Sequence, residues 1–248
     1  MTVRIGLMVF AAACIHAPAQ EWISLFDGRT FEGWENRLIA GKSAWAIEDG
    51  CLTAIPGSTR SDLTTLREFR NFELEFEWKV PEKGNSGVKY KLQGQYYFSS
   101  RGGATKSSEV VVLPHLRNTP EAGRFTVLGM EYQLSDDLTT ADSQRGGKWA
   151  AGAVYEYIPA VKSKPAKGGE FHKGRIVVRG MAVEHWLDGE KAASGSLDAP
   201  GLLWAPPGSM RAAITAVLLD HRREQSPIAL QHHNTKAWFR NIRIRELP

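Results

Sequence analysis

The chain has 248 residues, of which 42% are hydrophobic and 23% charged, and its formal net charge is +4 at pH 7. This length suits one large all-β domain or two small domains. Because lysine and arginine alternate with glutamate and aspartate, and no long basic run occurs, the composition argues against nucleic acid as a partner.

The N-terminal segment has the pattern of an export signal. Arg4 precedes the apolar run Ile5–Ala13, which is too short to span a bilayer. Ala17–Ala19 then forms a small-residue cleavage site ahead of Gln20. The sequence therefore predicts a secretory signal peptide over residues 1–19, no membrane span, and a secreted or periplasmic protein.

The two cysteines bear on lipid attachment and on disulfide formation. A lipid anchor at Cys14, which follows three alanines, is the alternative to a soluble exported protein, although the leucine expected three residues upstream of Cys14 is missing. Cleavage before Gln20 leaves Cys51 as the one remaining cysteine, so we expect no internal disulfide. Stability must then come from an ordinary core, for which eight Trp and ten Phe supply material.

Period-two alternation dominates the rest of the chain. Apolar and charged residues alternate in Phe72–Val80, and the pattern returns in Gly87–Gln93, which is typical of strands with one buried face. Further strands are predicted over Ile176–Val178, Met181–Leu187, Arg211–Leu219, Ile228–His232 and Trp238–Arg245. No amphipathic helix of useful length is visible.

These strands predict an all-β fold, a two-sheet antiparallel β-sandwich of the jelly-roll kind, formed by a single domain over residues 20–248. Nine side chains are expected in its core: Leu74, Phe76, Trp78, Val88, Tyr90, Ile176, Val178, Ile242 and Ile244. Three polar stretches, Ser99–Lys106, Ser135–Gly147 and Pro159–Gly169, are predicted as long loops, the places where a rigid sandwich usually carries its specificity.

Two short motifs aim polar side chains at one surface. Glu131 and Gln133 lie two residues apart on a predicted strand, so both leave the same face while Met130, Tyr132 and Leu134 leave the other. Gln231 and His233 share a face in the same way. A carboxylate, two amides and an imidazole on one surface of a sheet indicate a site for a polar ligand.

Seven motifs in order resemble the 3-keto-disaccharide hydrolase domain family, over nearly all of residues 22–247. They are Ile23–Trp34, Trp45–Leu52, Asn85–Val88, Gly129–Gln133, Gly152–Tyr155, Leu230–His233 and Trp238–Arg245. The resemblance implies a concanavalin A-like sandwich and an exported enzyme acting on glycosides oxidised at C3 of the sugar.

The chain departs from the family pattern at three places. Phe171-His172 stands where the family commonly has Trp-Asn, and His232-His233 stands where it has Asp-His. The family's arginine after Asn-Ser-Gly is replaced by Lys89 or Lys91. These changes leave the fold expectation unaltered and bear on the substrate.

The implied substrate sets the chemistry that the site must perform. A C3 ketone makes the proton on C2 acidic, so a base can remove it and expel the C1 substituent, after which water adds back. The site then needs a base near C2, a cation or hydrogen-bond donor at the enolate oxygen, and an acid for the leaving group. An ordinary glycosidase instead uses two carboxylates.

Glu131 is the candidate base or acid, or a ligand for a divalent cation; the alternative is a solvent-facing strand residue paired with Lys89 or Lys91. His233 is the candidate partner, because an imidazole exchanges protons near neutral pH. It is preferred over His232 because it shares the face of Gln231.

The remaining candidates are assigned to substrate binding. Gln133 and Gln231 would orient hydroxyls, since an amide both donates and accepts. Asp136, with Asp137, would bind a divalent cation or sugar hydroxyls, unless it only ends a strand in an acidic turn. The last four are Asn85 bordering the cleft, Lys91 at the enolate oxygen, and Trp149 and Tyr155 as platforms for a sugar ring.

Three alternatives stay open from the sequence. The enolate oxygen is held by a divalent cation or by Lys91. The protein is an enzyme, or a non-catalytic carbohydrate-binding module that uses the same polar face. A conventional two-carboxylate glycosidase is the third alternative, for which the chain offers no second strand carboxylate with a signal equal to that of Glu131.

Overall fold

The computed structural model describes residues 20–39, 41–58, 60–98, 110–113, 124–198 and 208–248. The predicted signal peptide over residues 1–19 and the predicted loop Ser99–Lys106 lie outside these ranges.

Sixteen strands and one α-helix occur in the described ranges. The strands are β1 (Ile23–Ser24), β2 (Trp34–Glu35), β3 (Leu38–Ile39), β4 (Lys42–Ser43), β5 (Trp45–Glu48), β6 (Cys51–Ala54), β7 (Leu63–Thr65), β8 (Phe72–Lys79), β9 (Asn85–Phe98), β10 (Val110–Leu113), β11 (Arg124–Ser135), β12 (His172–Arg179), β13 (Ala182–Leu187), β14 (Glu190–Ser196), β15 (Ala229–Leu230) and β16 (Trp238–Glu246). The helix is α1 (Met210–Leu218).

The strands form two antiparallel sheets. In the first sheet the order is β14-β13-β12-β8-β16-β6-β5, and β1 pairs with β16. In the second sheet the order is β10-β9-β15-β7-β2. There β11 pairs along one edge of β9, while β15 and β10 share the other edge. The predicted two-sheet antiparallel β-sandwich is confirmed.

The core lies between the two sheets. All nine side chains predicted there are buried. Aromatic rings join the sheets edge to face, with centroids 5.4 Å apart for Phe76 and Tyr132 and 6.3 Å apart for Phe72 and Tyr90. Because β8 strictly alternates apolar and charged residues, one of its faces enters this core and the other turns outward.

The predicted strand over Arg211–Leu219 is wrong, since α1 covers all of this segment except Leu219. Ser209 caps the helix by accepting a hydrogen bond from the Ala212 amide at 3.1 Å. Ile214, Val217 and Leu218 recur at helical spacing and pack against the core cluster, and the three alanines of the segment also favour a helix. None of the helical segments in the described ranges is long and apolar enough to cross a membrane.

A bulge interrupts the pairing of β9 with β11. The register shifts between Leu128 and Met130, and Lys91 on the facing strand takes a positive φ of 48°. A Cβ on Gly129 would come within 2.6 Å of the Tyr90 carbonyl oxygen, so only glycine fits there. The alternation predicted through Gly87–Gln93 therefore holds only as far as Tyr90.

Candidate active site

A cavity of about 250 Å³ lies on the face of the second sheet that turns away from the core, beside α1. Six of the sequence-predicted site residues line it together: Asn85, Glu131, Gln133, Tyr155, Gln231 and His233. Eight other residues complete the lining: Lys89, Val127, Leu128, Gly129, Glu156, Tyr157, Ile214 and Leu218.

Glu131 is the central carboxyl of the cavity. Its Oε2 accepts a hydrogen bond from Gln231 Nε2 at 2.8 Å. The pKa of Glu131 is raised to about 7, chiefly by burial and also by the nearby Asp62 and Asp142, while Lys89 and the Gln231 hydrogen bond act in the opposite direction. A carboxyl with this pKa can both take and return a proton near neutral pH.

Gly87 makes room for this carboxyl. A Cβ on Gly87 would lie 2.5 Å from Glu131 Oε1, closer than two such atoms can approach. Gly87 belongs to the Asn-Ser-Gly motif of β9, and that motif's glycine therefore has a steric role at the site.

Lys89 is the cation of the site, and its position was not chosen from the sequence. It pairs directly across the strands with Glu131. Its ammonium lies 2.9 Å from Asp62 Oδ2 and donates to the Val127 carbonyl at 3.1 Å. Asp62 in turn accepts from the amides of Val127 and His232, which fixes this buried ion pair in place.

The two glutamines present amide groups to the cavity. Gln133 is fully buried, and neither atom of its amide has a hydrogen-bond partner within the described residues; the same holds for Gln231 Oε1. A buried polar group without a partner costs about 1–3 kcal/mol. These atoms therefore favour a ligand rich in hydroxyl groups.

The neighbouring histidines occupy different environments. His233 lines the cavity. His232 lies behind it, where its Nε2 is 3.0 Å from the Ile55 carbonyl oxygen and 3.1 Å from Ser58 Oγ. Burial lowers the pKa of His232. The strand alternation thus distinguishes the histidine that lines the cavity from the one behind it, and a catalytic role for His233 stays a prediction.

The segment after β11 folds back along that strand and closes one side of the cavity. The Gly152 amide donates to the Gln133 carbonyl and the Tyr155 amide to the Glu131 carbonyl, both at 2.9 Å. This pairing positions Tyr155, whose hydroxyl donates to Asp142 Oδ2 at 3.3 Å.

Asp142 and Glu156 are two further carboxyls near this side of the cavity. Asn85 Nδ2 also donates to Asp142 Oδ2, at 3.4 Å. Glu156 lines the cavity and accepts from the Trp149 indole at 3.3 Å. Trp149, a predicted sugar platform, therefore contacts a residue of the cavity wall but does not line the cavity itself. The guanidinium carbon of Arg145 lies 4.1 Å from the centroid of its ring.

Besides Trp149, two predicted residues are not brought to the cavity. Lys91 is turned away by the bulge and interacts with Glu224 and Arg70, and burial lowers its pKa. Asp136 caps the turn after β11, where its carboxylate accepts from the Lys83 amide at 3.1 Å, from the Leu138 amide at 3.2 Å and from the Thr139 hydroxyl.

The divalent cation considered from the sequence has no matching donor set in the part of the chain that is described. No group of three or more His, Cys, Asp or Glu side chains is gathered there in a way that fits a metal ion. Of the ligands considered, Glu131 lines the cavity, whereas Asp136 and Asp137 accept hydrogen bonds from the backbone of the loops after β11.

Similarity to known proteins agrees with this geometry. A 3-keto-disaccharide hydrolase of Bacteroides thetaiotaomicron is 31% identical over 249 residues, which cover 92% of this chain and 79% of that protein. Two crystal structures of proteins proposed to be glycosyl hydrolases, both from Parabacteroides distasonis, share the fold. The first has a TM-score of 0.64 at 23% identity and covers 92% of this chain and 94% of that one. The second has a TM-score of 0.58 at 24% identity and covers 92% of this chain and 100% of that one.

Residues 21–245 match the family described as the 3-keto-α-glucoside-1,2-lyase-like domain. The match spans nearly the whole described chain, in agreement with the motifs read from the sequence. The protein belongs to this family.

Proposed function

We propose that this protein cleaves glycosides whose sugar has been oxidised to a ketone at C3. Membership of the family and the identity to a named 3-keto-disaccharide hydrolase support a glycosidase-type function. The more specific assignment to 3-keto-glycosides is supported by the substrates after which the family and this relative are named, and by the chemistry of the cavity.

The observation that carries this proposal is the environment of Glu131. One carboxyl with a pKa of about 7 belongs to the residue directly opposite Lys89 on the neighbouring strand, and the charge of Lys89 acts on it. Removal of a proton next to a ketone needs this combination, because the base takes the proton while the cation stabilises the enolate oxygen that forms.

The reaction follows in three steps. The Glu131 carboxylate removes the proton from C2, and the electron pair moves to the C3 oxygen, which becomes an enolate near Lys89. The enolate then re-forms the C3 carbonyl, a C1–C2 double bond forms, and the bond from C1 to the leaving-group oxygen breaks. Finally a water oxygen adds to C1, the Glu131 carboxyl, whose proton has exchanged with solvent, protonates C2, and the proton that the water gives up returns to His233, so that one water is consumed overall.

The other cavity residues have supporting roles. His233 donates the proton that the leaving-group oxygen takes as its bond to C1 breaks. Gln133 and Gln231 hydrogen-bond the sugar hydroxyls through their buried amides. Tyr155 forms one wall, where it contacts the face of the sugar ring.

Glu156 favours one second candidate, a conventional hydrolase with two carboxyls. It supplies a second carboxyl at the cavity that was not visible as a strand residue in the sequence. A two-carboxylate hydrolase would cleave the unoxidised glycoside as well. A carbohydrate-binding module, in contrast, has no use for a carboxyl with a pKa of about 7.

Substrate comparison separates these functions. Purified protein is incubated with a 3-keto-glucoside and with its unoxidised parent, each with and without a chelator. We expect cleavage of the oxidised compound alone, without effect of the chelator. Cleavage of the parent would instead support the two-carboxylate hydrolase, and loss of activity with chelator would assign the enolate oxygen to a metal ion in place of Lys89.

Glu131→Gln separates enzyme from binding module. An enzyme of this mechanism keeps its affinity for the oxidised sugar and loses turnover, whereas a module has no turnover to lose. Glu184→Gln, on the outer face of the first sheet, is the matched control and leaves both quantities unchanged.

We also propose that the protein is exported through the signal peptide predicted at residues 1–19. N-terminal sequencing of the protein recovered from the expressing cell tests this. A mature N-terminus near Gln20 is expected, modification at Cys14 would identify a lipid-anchored form, and an intact Met1 would refute export.

A further inference from the structure

The outer face of the first sheet concentrates the positive charge of the protein. On its three central strands, β8 carries three glutamates and one lysine there, while β12 and β16 carry three cations each. Seven cations thus face three acids on these three strands. Such a concentration makes this face the favoured approach for an anionic partner.

The strand register arranges these charges in rows. Arg243 Nη2 lies 2.5 Å from Glu75 Oε2, and Arg175 stands opposite Glu75 on the other side. In the next row Arg240 Nε lies 2.8 Å from Glu77 Oε2, with Lys173 opposite Glu77. Each of these acids is therefore flanked by cations on both neighbouring strands, and the face remains positive.

A groove of about 840 Å³ crosses this face between two tryptophans. Trp22 stacks on Arg243, with 4.7 Å between the guanidinium carbon and the ring centroid, and Trp186 stacks on Arg175 at 5.0 Å. Both indoles are half-buried and line the groove. An indole is a flat apolar surface against which the C–H face of a pyranose ring can pack.

We propose that this groove binds an anionic polysaccharide, a chain of sugar units that carry carboxylate or sulfate groups. The cations attract the anionic groups, Trp22 and Trp186 receive the sugar rings, and Glu75, Glu77 and Asn241 accept or donate hydrogen bonds to hydroxyls.

The acidic side chains argue for a polysaccharide over other polyanions. Duplex DNA, with one charge per about 1.7 Å of helix axis, would bring phosphates against Glu75 and Glu77, whereas a polysaccharide carries at most a few charges per sugar and can turn hydroxyls toward these carboxylates. A membrane surface would be expected to contact exposed aliphatic side chains, and Ile242, the aliphatic residue that lines the groove, is buried.

The groove and the Glu131 cavity lie on opposite sheets of the sandwich. A polymer bound in the groove leaves the cavity open, so the groove can hold the protein on a polysaccharide while the cavity acts on a different, smaller sugar. This inference does not depend on the reaction proposed for Glu131.

Calorimetric titration of the purified protein tests the groove. We expect binding of polygalacturonate at about 0.1 M salt, where surface charges are screened beyond about 10 Å, and no binding of the neutral polymer pullulan. Lys173→Gln with Arg243→Gln should weaken binding at least about tenfold. The control is Lys164→Gln with Arg222→Gln, which removes the same charge from exposed positions outside the groove. It should change the affinity for polygalacturonate less than about twofold.

Trp22→Ala isolates the contribution of the indole, because it leaves the charge unchanged. It should weaken polygalacturonate binding about fivefold. Thermal unfolding checks that each variant is folded. If the double variant is not folded, Lys173→Gln alone, at an exposed position, takes its place in the titration. Equal losses in the two charge variants, an unchanged affinity of Trp22→Ala, or tighter binding of single-stranded DNA or anionic vesicles would overturn the proposal.

Discussion

Replacing Glu131 with glutamine should make the stability of the protein less sensitive to pH. In the folded state burial raises the pKa of this carboxyl from 4.5 to about 7. The unfolded chain therefore loses the proton at a lower pH than the folded chain does. Stability that Glu131 contributes is complete below pH 4.5 and is lost as the pH rises through about 7.

The size of this effect follows from the two pKa values. Each pKa unit corresponds to about 1.36 kcal/mol, so a rise from 4.5 to about 7 corresponds to about 3 kcal/mol. Glutamine is neutral at every pH and can still accept the hydrogen bond from Gln231. The free energy of unfolding of Glu131→Gln, measured relative to that of the wild type, should therefore increase by about 3 kcal/mol as the pH rises from 4 to 8.5.

Urea unfolding of both proteins across this pH range measures the difference directly, since all other titrating groups cancel. Glu184→Gln is the control, because the hydrogen bond from Lys191 lowers the pKa of Glu184 and its contribution is lost toward acid pH instead. A difference between wild type and Glu131→Gln that stays constant with pH, or that falls as the pH rises, would refute the environment assigned to Glu131.

Three further predictions concern the neighbours of this carboxyl. Gly87→Ala places a Cβ 2.5 Å from Glu131 Oε1 and should lower kcat/KM at least about tenfold in a folded protein, whereas unchanged kinetics would contradict the steric role of Gly87. Lys89→Met leaves Asp62 buried without its cation and should lower the free energy of unfolding by about 3–5 kcal/mol. Adding Asp62→Asn should restore much of that stability and none of the turnover, while recovery of turnover would show that Lys89 is not needed at the enolate. His233→Asn should lower kcat about a hundredfold or more, and an unchanged kcat would remove His233 from the proton transfers.

Alternation along strands predicted much of this protein, because a pleated strand sends successive side chains to opposite faces. It correctly separated Met130 and Tyr132, in the core, from Glu131 and Gln133, at the cavity. The same argument failed at Lys91. Three residues of β9, Lys91–Gln93, stand opposite the single residue Gly129, and this bulge breaks the period without a mark in the local pattern.

Other parts of the site depend on contacts that are remote in sequence. Asp62, which directly precedes β7, forms its ion pair with Lys89 on β9, and Glu156 is placed by a segment that pairs along β11. Helix α1 was missed although its three alanines and the N-cap Ser209 favour a helix locally, and its packing beside the cavity is decided by the fold. Lys89 could have been found, since it shares the face of Gly87 on β9.

The fate of the C2 hydrogen tests the central claim most directly. Purified protein is incubated in deuterated water with a 3-keto-glucoside that carries protium at C2, and the released sugar is analysed by mass spectrometry and NMR. If Glu131 removes the C2 proton and water later adds across C1 and C2, the released sugar carries deuterium at C2. Cleavage that leaves protium at C2 would contradict the elimination route, even in a protein that acts only on the oxidised substrate.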